Sequence, residues 1–220
     1  MINLTIDVDG QTYDVYEDFG LVVGNNDYIK EPKRRDCLIE VPGRNGYVDY
    51  TESIYGEAYY LSRQISVLLG STKNPASWDN QISGFRNIFE GRKVKLIFSN
   101  DPTHYWIGRA SIEAYDRQKS IGRFYLRLNS ADPYKYKLAA TTQTVVLAST
   151  EQTIILPNER KRVVPTITNA AEATIRYKYG RYVISAGTHK IADIVLEPGN
   201  NTMYVSGSGT LTITYQEASL

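Results

Sequence analysis

The sequence predicts a mainly β protein, with an N-terminal β domain carrying one α-helix over residues 1–132 and a C-terminal β-sandwich or jelly roll over residues 133–220. Three observations lead there. Apolar and polar residues alternate in many short runs, a single segment repeats at helical spacing, and a polar stretch ending in proline separates two regions of different texture.

In the first region, Ile2, Leu4, Ile6 and Val8 alternate with Asn3, Thr5, Asp7 and Asp9 up to an Asp9-Gly10 turn signal. This is the pattern of a hairpin whose return runs over 13–16. Leu21, Val22 and Val23 form a short strand before a loop at 24–27, and 37–41 form another, stopped by Pro42-Gly43. Over 59–69 the residues Leu61, Ile65, Val67 and Leu69 keep period two, with Arg63 as the charged interruption.

The helix is marked by Asn74 as N-cap, Pro75 at the first helical position, Trp78, Ile82, Phe85 and Phe89 on one face, and Gly91 at the close. Its apolar stripe requires a sheet to lie on. Strands follow at 93–98, 105–112 and 123–128, and Asn-Ser-Ala-Asp-Pro at 129–133 ends the pattern. Beyond it come about eight short β-rich runs separated by Gly, Pro and Asn turns, among them 191–196, at the spacing of a small sandwich.

Composition narrows the function classes. Lys and Arg number 25 against 24 Asp and Glu, so no global field draws the chain to nucleic acid or anionic lipid, and specific nucleic-acid binding is not expected. The start Met-Ile-Asn-Leu-Thr-Ile-Asp lacks the features of a signal peptide, and the single cysteine, Cys37, has no partner for a disulfide. Folding in a reducing cytosol is expected, with no membrane span. Tyrosine is the outlier, at 18 against 5 Phe and 2 Trp. Strand positions account for most of these residues and interfaces for a minority.

Catalytic constellations are scarce. His104, His189 and Cys37 fall in different predicted elements, too dispersed for a zinc site, and Cys37 reads as a buried structural thiol. There is no Gly-x-Ser-x-Gly elbow, and Gly207-Ser208-Gly209 lacks the lysine and setting of a phosphate loop. Asp49 and Glu52 are close enough in sequence to suggest paired acids, but a solvated loop explains them, as it does the basic runs 33–35 and 160–162. No cofactor, metal or catalytic residue is assigned, and the chain is not expected to be an enzyme.

The segment Val41-Pro42-Gly43-Arg44-Asn45-Gly46-Tyr47-Val48-Asp49-Tyr50-Thr51-Glu52 resembles a signature of the siphophage tail component family, the distal tail proteins of phages and prophages of Gram-positive bacteria. Other features fall in that family's order: Asp18-Phe19-Gly20-Leu21, the helix ahead of Gly91, Tyr105-Trp106-Ile107-Gly108-Arg109, Ala131-Asp132-Pro133-Tyr134 and Leu196-Glu197-Pro198-Gly199-Asn200-Asn201. The likeness spans nearly the whole chain.

The resemblance implies a structural virion protein of the tail tip or baseplate, assembled in the host cytoplasm. Its N-terminal domain would form a hexameric ring around the DNA channel, with a galectin-like sandwich outside. The partners implied are the tail tube protein, the tape-measure protein, a tail-associated lysin or tip protein and, in some phages, a receptor-binding protein. Arg44, Asn45, Tyr47 and Asp49 are the subunit-interface candidates, the other reading of their loop being a Gly-rich turn held for its own geometry. A rival reading is a carbohydrate-binding module adhering to the host cell wall through Tyr177, Tyr179, Tyr182 and Trp106, although alternating tyrosines on strands are ordinarily core or hairpin surface. A cell-wall hydrolase is the third.

Overall fold

Asp9 and Gly10 both adopt positive φ, 53° and 85°, the conformation that a two-residue hairpin of matching twist demands. They join β1 (Leu4–Val8) to β2 (Gln11–Asp14), and Leu4, Ile6 and Val8 point inward as their alternation requires. In this computed structural model the described residues are 2–24, 28–71, 73–118 and 121–220, so most of the loop expected at 24–27 lies outside them. By internal contacts the chain divides into two units, Met1–Pro133 and Tyr134–Leu220.

The first unit continues with β3 (Leu21–Val23), β4 (Tyr28–Ile29), β5 (Arg34–Arg35), β6 (Leu38–Glu40), β7 (Tyr47–Asp49), α1 (Thr51–Tyr55) and β8 (Tyr59–Tyr60). Then come β9 (Arg63–Ser71), α2 (Trp78–Phe89), β10 (Lys93–Phe98), β11 (His104–Gln118) and β12 (Ile121–Ala131). The main sheet is antiparallel, in the order β2-β1-β10-β11-β12-β9-β3, with β4 also on β9. Val15 N–H donates to Leu4 O and Leu21 N–H to Val15 O, so the sheet curls until its two ends approach through Val15.

The single long helix fills the curl. Asn74 caps a 3₁₀ turn at Pro75–Ser77 by accepting from the Ala76 N–H at 3.0 Å, and α2 runs on from it. Trp78, Ile82, Phe85 and Phe89 are all buried, each contributing about 1.5–3 kcal/mol on leaving water. Trp78 lies so close to Gly122 of β12 that a Cβ there would stand 2.8 Å from the indole. Gly84 has the opposite surroundings, with nothing within 4 Å of a Cβ. Gly84→Ala is therefore expected to stabilise the protein by about 0.5–1 kcal/mol. Denaturant titration checks this; destabilisation would show that the outer face of α2 is not open.

The segment 59–69 is not one strand. It breaks into β8 and β9 around Leu61 and Ser62, and Arg63 proves to be an inward residue in phase with Ile65, Val67 and Leu69. Its guanidinium lies 4.3 Å from the Trp106 ring centre, at 3% exposure. Burial pulls its pKa down, while Glu31 and Asp132 oppose that pull. Nε and one terminal nitrogen have no hydrogen-bond partner, a charged group retained at a cost.

The second unit comprises β13 (Lys135–Lys137), β14 (Thr141–Val146), β15 (Gln152–Asn158), β16 (Thr166–Asn169), β17 (Ala173–Tyr177), β18 (Gly180–Ile184), β19 (Gly187–His189), β20 (Gly199–Gly207), β21 (Thr210–Tyr215) and β22 (Ala218–Ser219). Two four-stranded sheets, β14-β21-β16-β19 and β15-β20-β17-β18, enclose Leu156, Ile167, Ile175, Met203, Val205 and Ile213. This is the β-sandwich expected of the C-terminal half.

The run 191–196 differs from the expectation of a strand. Ile194 and Leu196 are buried, yet the only ladder contact described there is the bridge between Val163 and Leu196. Side-chain amides replace the ladder. Asn158 Nδ2 donates to Leu196 O at 3.2 Å, and Asn201 Nδ2 donates to Glu197 O at 2.8 Å.

Candidate functional site

Between β4 and β9 the chain leaves the main sheet as an arm. Lys30 N–H donates to Gln64 O where it departs, and Leu61 N–H donates to Lys33 O where its two legs run together. β5 pairs only with β8 and β6 only with β7, so the arm consists of two-stranded ribbons. Such ribbons are marginal in water without something to pack on.

Local polar bonds hold the outer ribbon in shape. Cys37 N–H donates to Thr51 Oγ1 at 2.8 Å, Tyr50 N–H to Cys37 O at 2.8 Å, and Thr51 N–H to Asp49 Oδ1 at 2.9 Å. The Thr51 hydroxyl and amide, with Arg34 nearby, hold the Asp49 carboxyl below its usual pKa and keep it charged. Thr51 is buried, and it starts the short helix α1, which the sequence pattern did not reveal. Gly43 and Gly46 take positive φ, 80° and 75°, at the tip, where Arg44 N–H donates to Val41 O.

The arm exposes large apolar side chains among its charged ones. Leu38, Ile39, Val41 and Tyr50 are exposed, with Tyr47 at 66% and Ile54 at 57%. Single exposed apolar residues mean little, but six of them within residues 38–54 suit an interaction surface. Arg44 and Asn45 stand exposed at the tip, and Tyr47 and Asp49 stand exposed on β7. Cys37 is half-buried at the edge of β6, not sealed in a core as its apolar neighbours suggested, because neither face of the ribbon is covered.

The three C-terminal tyrosines do not share a surface. Tyr177 is in the core, its hydroxyl 2.7 Å from Val195 O and 2.8 Å from Asn201 Oδ1. Tyr182 is half-buried against the same core, and Tyr179 alone is fully exposed, at the tip of the β17–β18 hairpin. Trp106 lies beneath Arg63. Among the described residues no three His, Cys, Asp or Glu side chains are placed to hold a metal, and no helix is long and apolar enough to cross a membrane.

These features define a class: a curled antiparallel sheet around one helix, bearing an exposed apolar arm, followed in the chain by a β-sandwich. The fold is similar to that of SPP1 Dit (gp 19.1), whose crystal structure matches with a TM-score of 0.68 at 17% identity, over 99% of this chain and 99% of that one. That protein is described as a paradigm of the hub adsorption apparatus in phages infecting Gram-positive bacteria. No protein-family model matches the chain, and no curated protein matches it.

Proposed function

We propose that the chain is a distal tail protein, a structural virion component that joins the tail tube to the tail tip or baseplate. The observation that carries this reading is the full-length likeness of fold to the SPP1 hub protein. In this reading the N-terminal unit closes a hexameric ring around the DNA channel and the sandwich sits outside. The tube and tape-measure proteins meet the ring on one side, and the lysin or tip protein and any receptor-binding protein meet it on the other.

The arm supports the ring. Its exposed apolar residues need a cover, and a ring of identical copies offers one to every arm through a head-to-tail contact that closes on itself. Arg44, Asn45, Tyr47 and Asp49 would then lie at the subunit contact. Arg44→Ala and Tyr47→Ala are expected to weaken assembly by about tenfold or more each while leaving the subunit's unfolding midpoint unchanged, because both side chains are solvent-exposed in the subunit. Sedimentation across a concentration series checks this. Unchanged assembly in both variants would remove the tip from the interface.

A further inference from the structure

Lys93 begins β10 and stands directly opposite Arg109 of β11. Like charges facing each other across a ladder repel. Two other cations on this sheet face are neutralised, Lys95 by Asp7 at 3.3 Å and Arg127 by Glu113 at 2.5 Å. Among the described residues Lys93 and Arg109 have no such counter-ion, Arg109 donating only to the Gly91 carbonyl. The pair borders an open groove of about 370 Å³ lined also by Ser62, Ile107, Ser130 and Asp132. Asp132 is already engaged within the chain and acts on Arg63.

The outer part of the arm, residues 38–56, carries the complementary charge, whereas the inner ribbon holds Lys33, Arg34 and Arg35. From residue 38 to residue 56, Arg44 is the one cation against Glu40, Asp49 and Glu52, set among the exposed apolar side chains. Asp49 is satisfied by Thr51 within the arm, which leaves Glu40 and Glu52 exposed. Resting on the ring reading above, we propose that the groove bearing Lys93 and Arg109 is the seat of the arm of a second copy of this chain. Glu40 and Glu52 supply the counter-charges there, and the arm's apolar residues pack along Ile107. Each copy then gives one arm and receives one, as a closed ring requires.

Charge reversal tests the seat on the full chain. K93E/R109E and E40K/E52K each raise the concentration for half-assembly by about tenfold or more, since each places like charges across the contact. Circular dichroism and thermal unfolding stay as in the wild type. Mixing the two variants, or combining all four changes in one chain, returns assembly to within about threefold of wild type. Reversals without effect, or a fourfold variant no better than the weaker double variant, overturn the seat while leaving the ring standing. A wild-type chain that never assembles overturns the ring itself and the seat with it.

Discussion

Phe85→Ala is expected to cost the N-terminal unit about 3–5 kcal/mol, the usual range for deleting a fully buried aromatic. Phe85 is completely buried, and its ring centre lies 4.6 Å from that of Phe89, 5.1 Å from Phe19 and 5.4 Å from Phe124. It therefore ties α2 to the loop before β3 and to the middle of β12. The three remaining rings cannot collapse into the vacated space without leaving their rotamers, so the cavity term adds to the lost transfer energy. Urea unfolding of the variant against the wild type measures the difference. A loss below about 1 kcal/mol would mean that the helix does not fill the curl of the sheet as described.

Asn201→Ala is expected to cost about 2–4 kcal/mol, from several buried polar groups left unpaired at once. The Asn201 Oδ1 accepts from the Glu197 N–H at 2.8 Å and lies 2.8 Å from the Tyr177 hydroxyl. Its Nδ2 donates to Glu197 O at 2.8 Å, with Gly199 O and Leu156 O at 3.2 and 3.3 Å. This amide pairs both backbone groups of Glu197 in the irregular 195–199 segment, beside Asn158 on Leu196 O and Tyr177 on Val195 O. The check is the unfolding free energy together with near-ultraviolet circular dichroism of the tyrosines. A change under about 0.5 kcal/mol would show that water replaces the amide at no cost.

The parts of the fold that the sequence announced are those governed by local periodicity. The Asp9-Gly10 hairpin and the Asn74-Pro75 start of α2 follow from turn and capping chemistry that acts within a few residues. Alternation located β9, β10 and β12 because one face of each is buried. Where that condition fails, the pattern disappears. β5 and β7 are exposed on nearly every side chain and show no period, whereas β6 lies within the apolar run 37–41 that reads as a strand and β8 within 59–69; Cys37 reads as core only because its neighbours are apolar. Arg63 reads as an interruption by its charge, whereas its phase is that of the core.

The candidate site divides in the same way. Arg44 and Asn45 at the tip and Tyr47 and Asp49 on β7 stand together in sequence, and a resemblance, not any chemistry of their own, points to them. Their presentation on a bare ribbon is a tertiary fact. The opposition of Lys93 and Arg109 depends on the register between β10 and β11, and no local pattern encodes it. Tyr177, Tyr179 and Tyr182 form an even-looking series in sequence, yet the turn at Lys178, with φ 51°, sends them to core, tip and partial cover.

The central claim is that this chain closes a six-membered ring, and its most direct test is the molar mass of the purified protein by light scattering over a concentration series, with negative-stain images of the largest species. The account predicts a species of six chains of 24.9 kDa each, seen as a six-fold ring with a central hole. A monomer at every concentration, with no ring in any image, would contradict it.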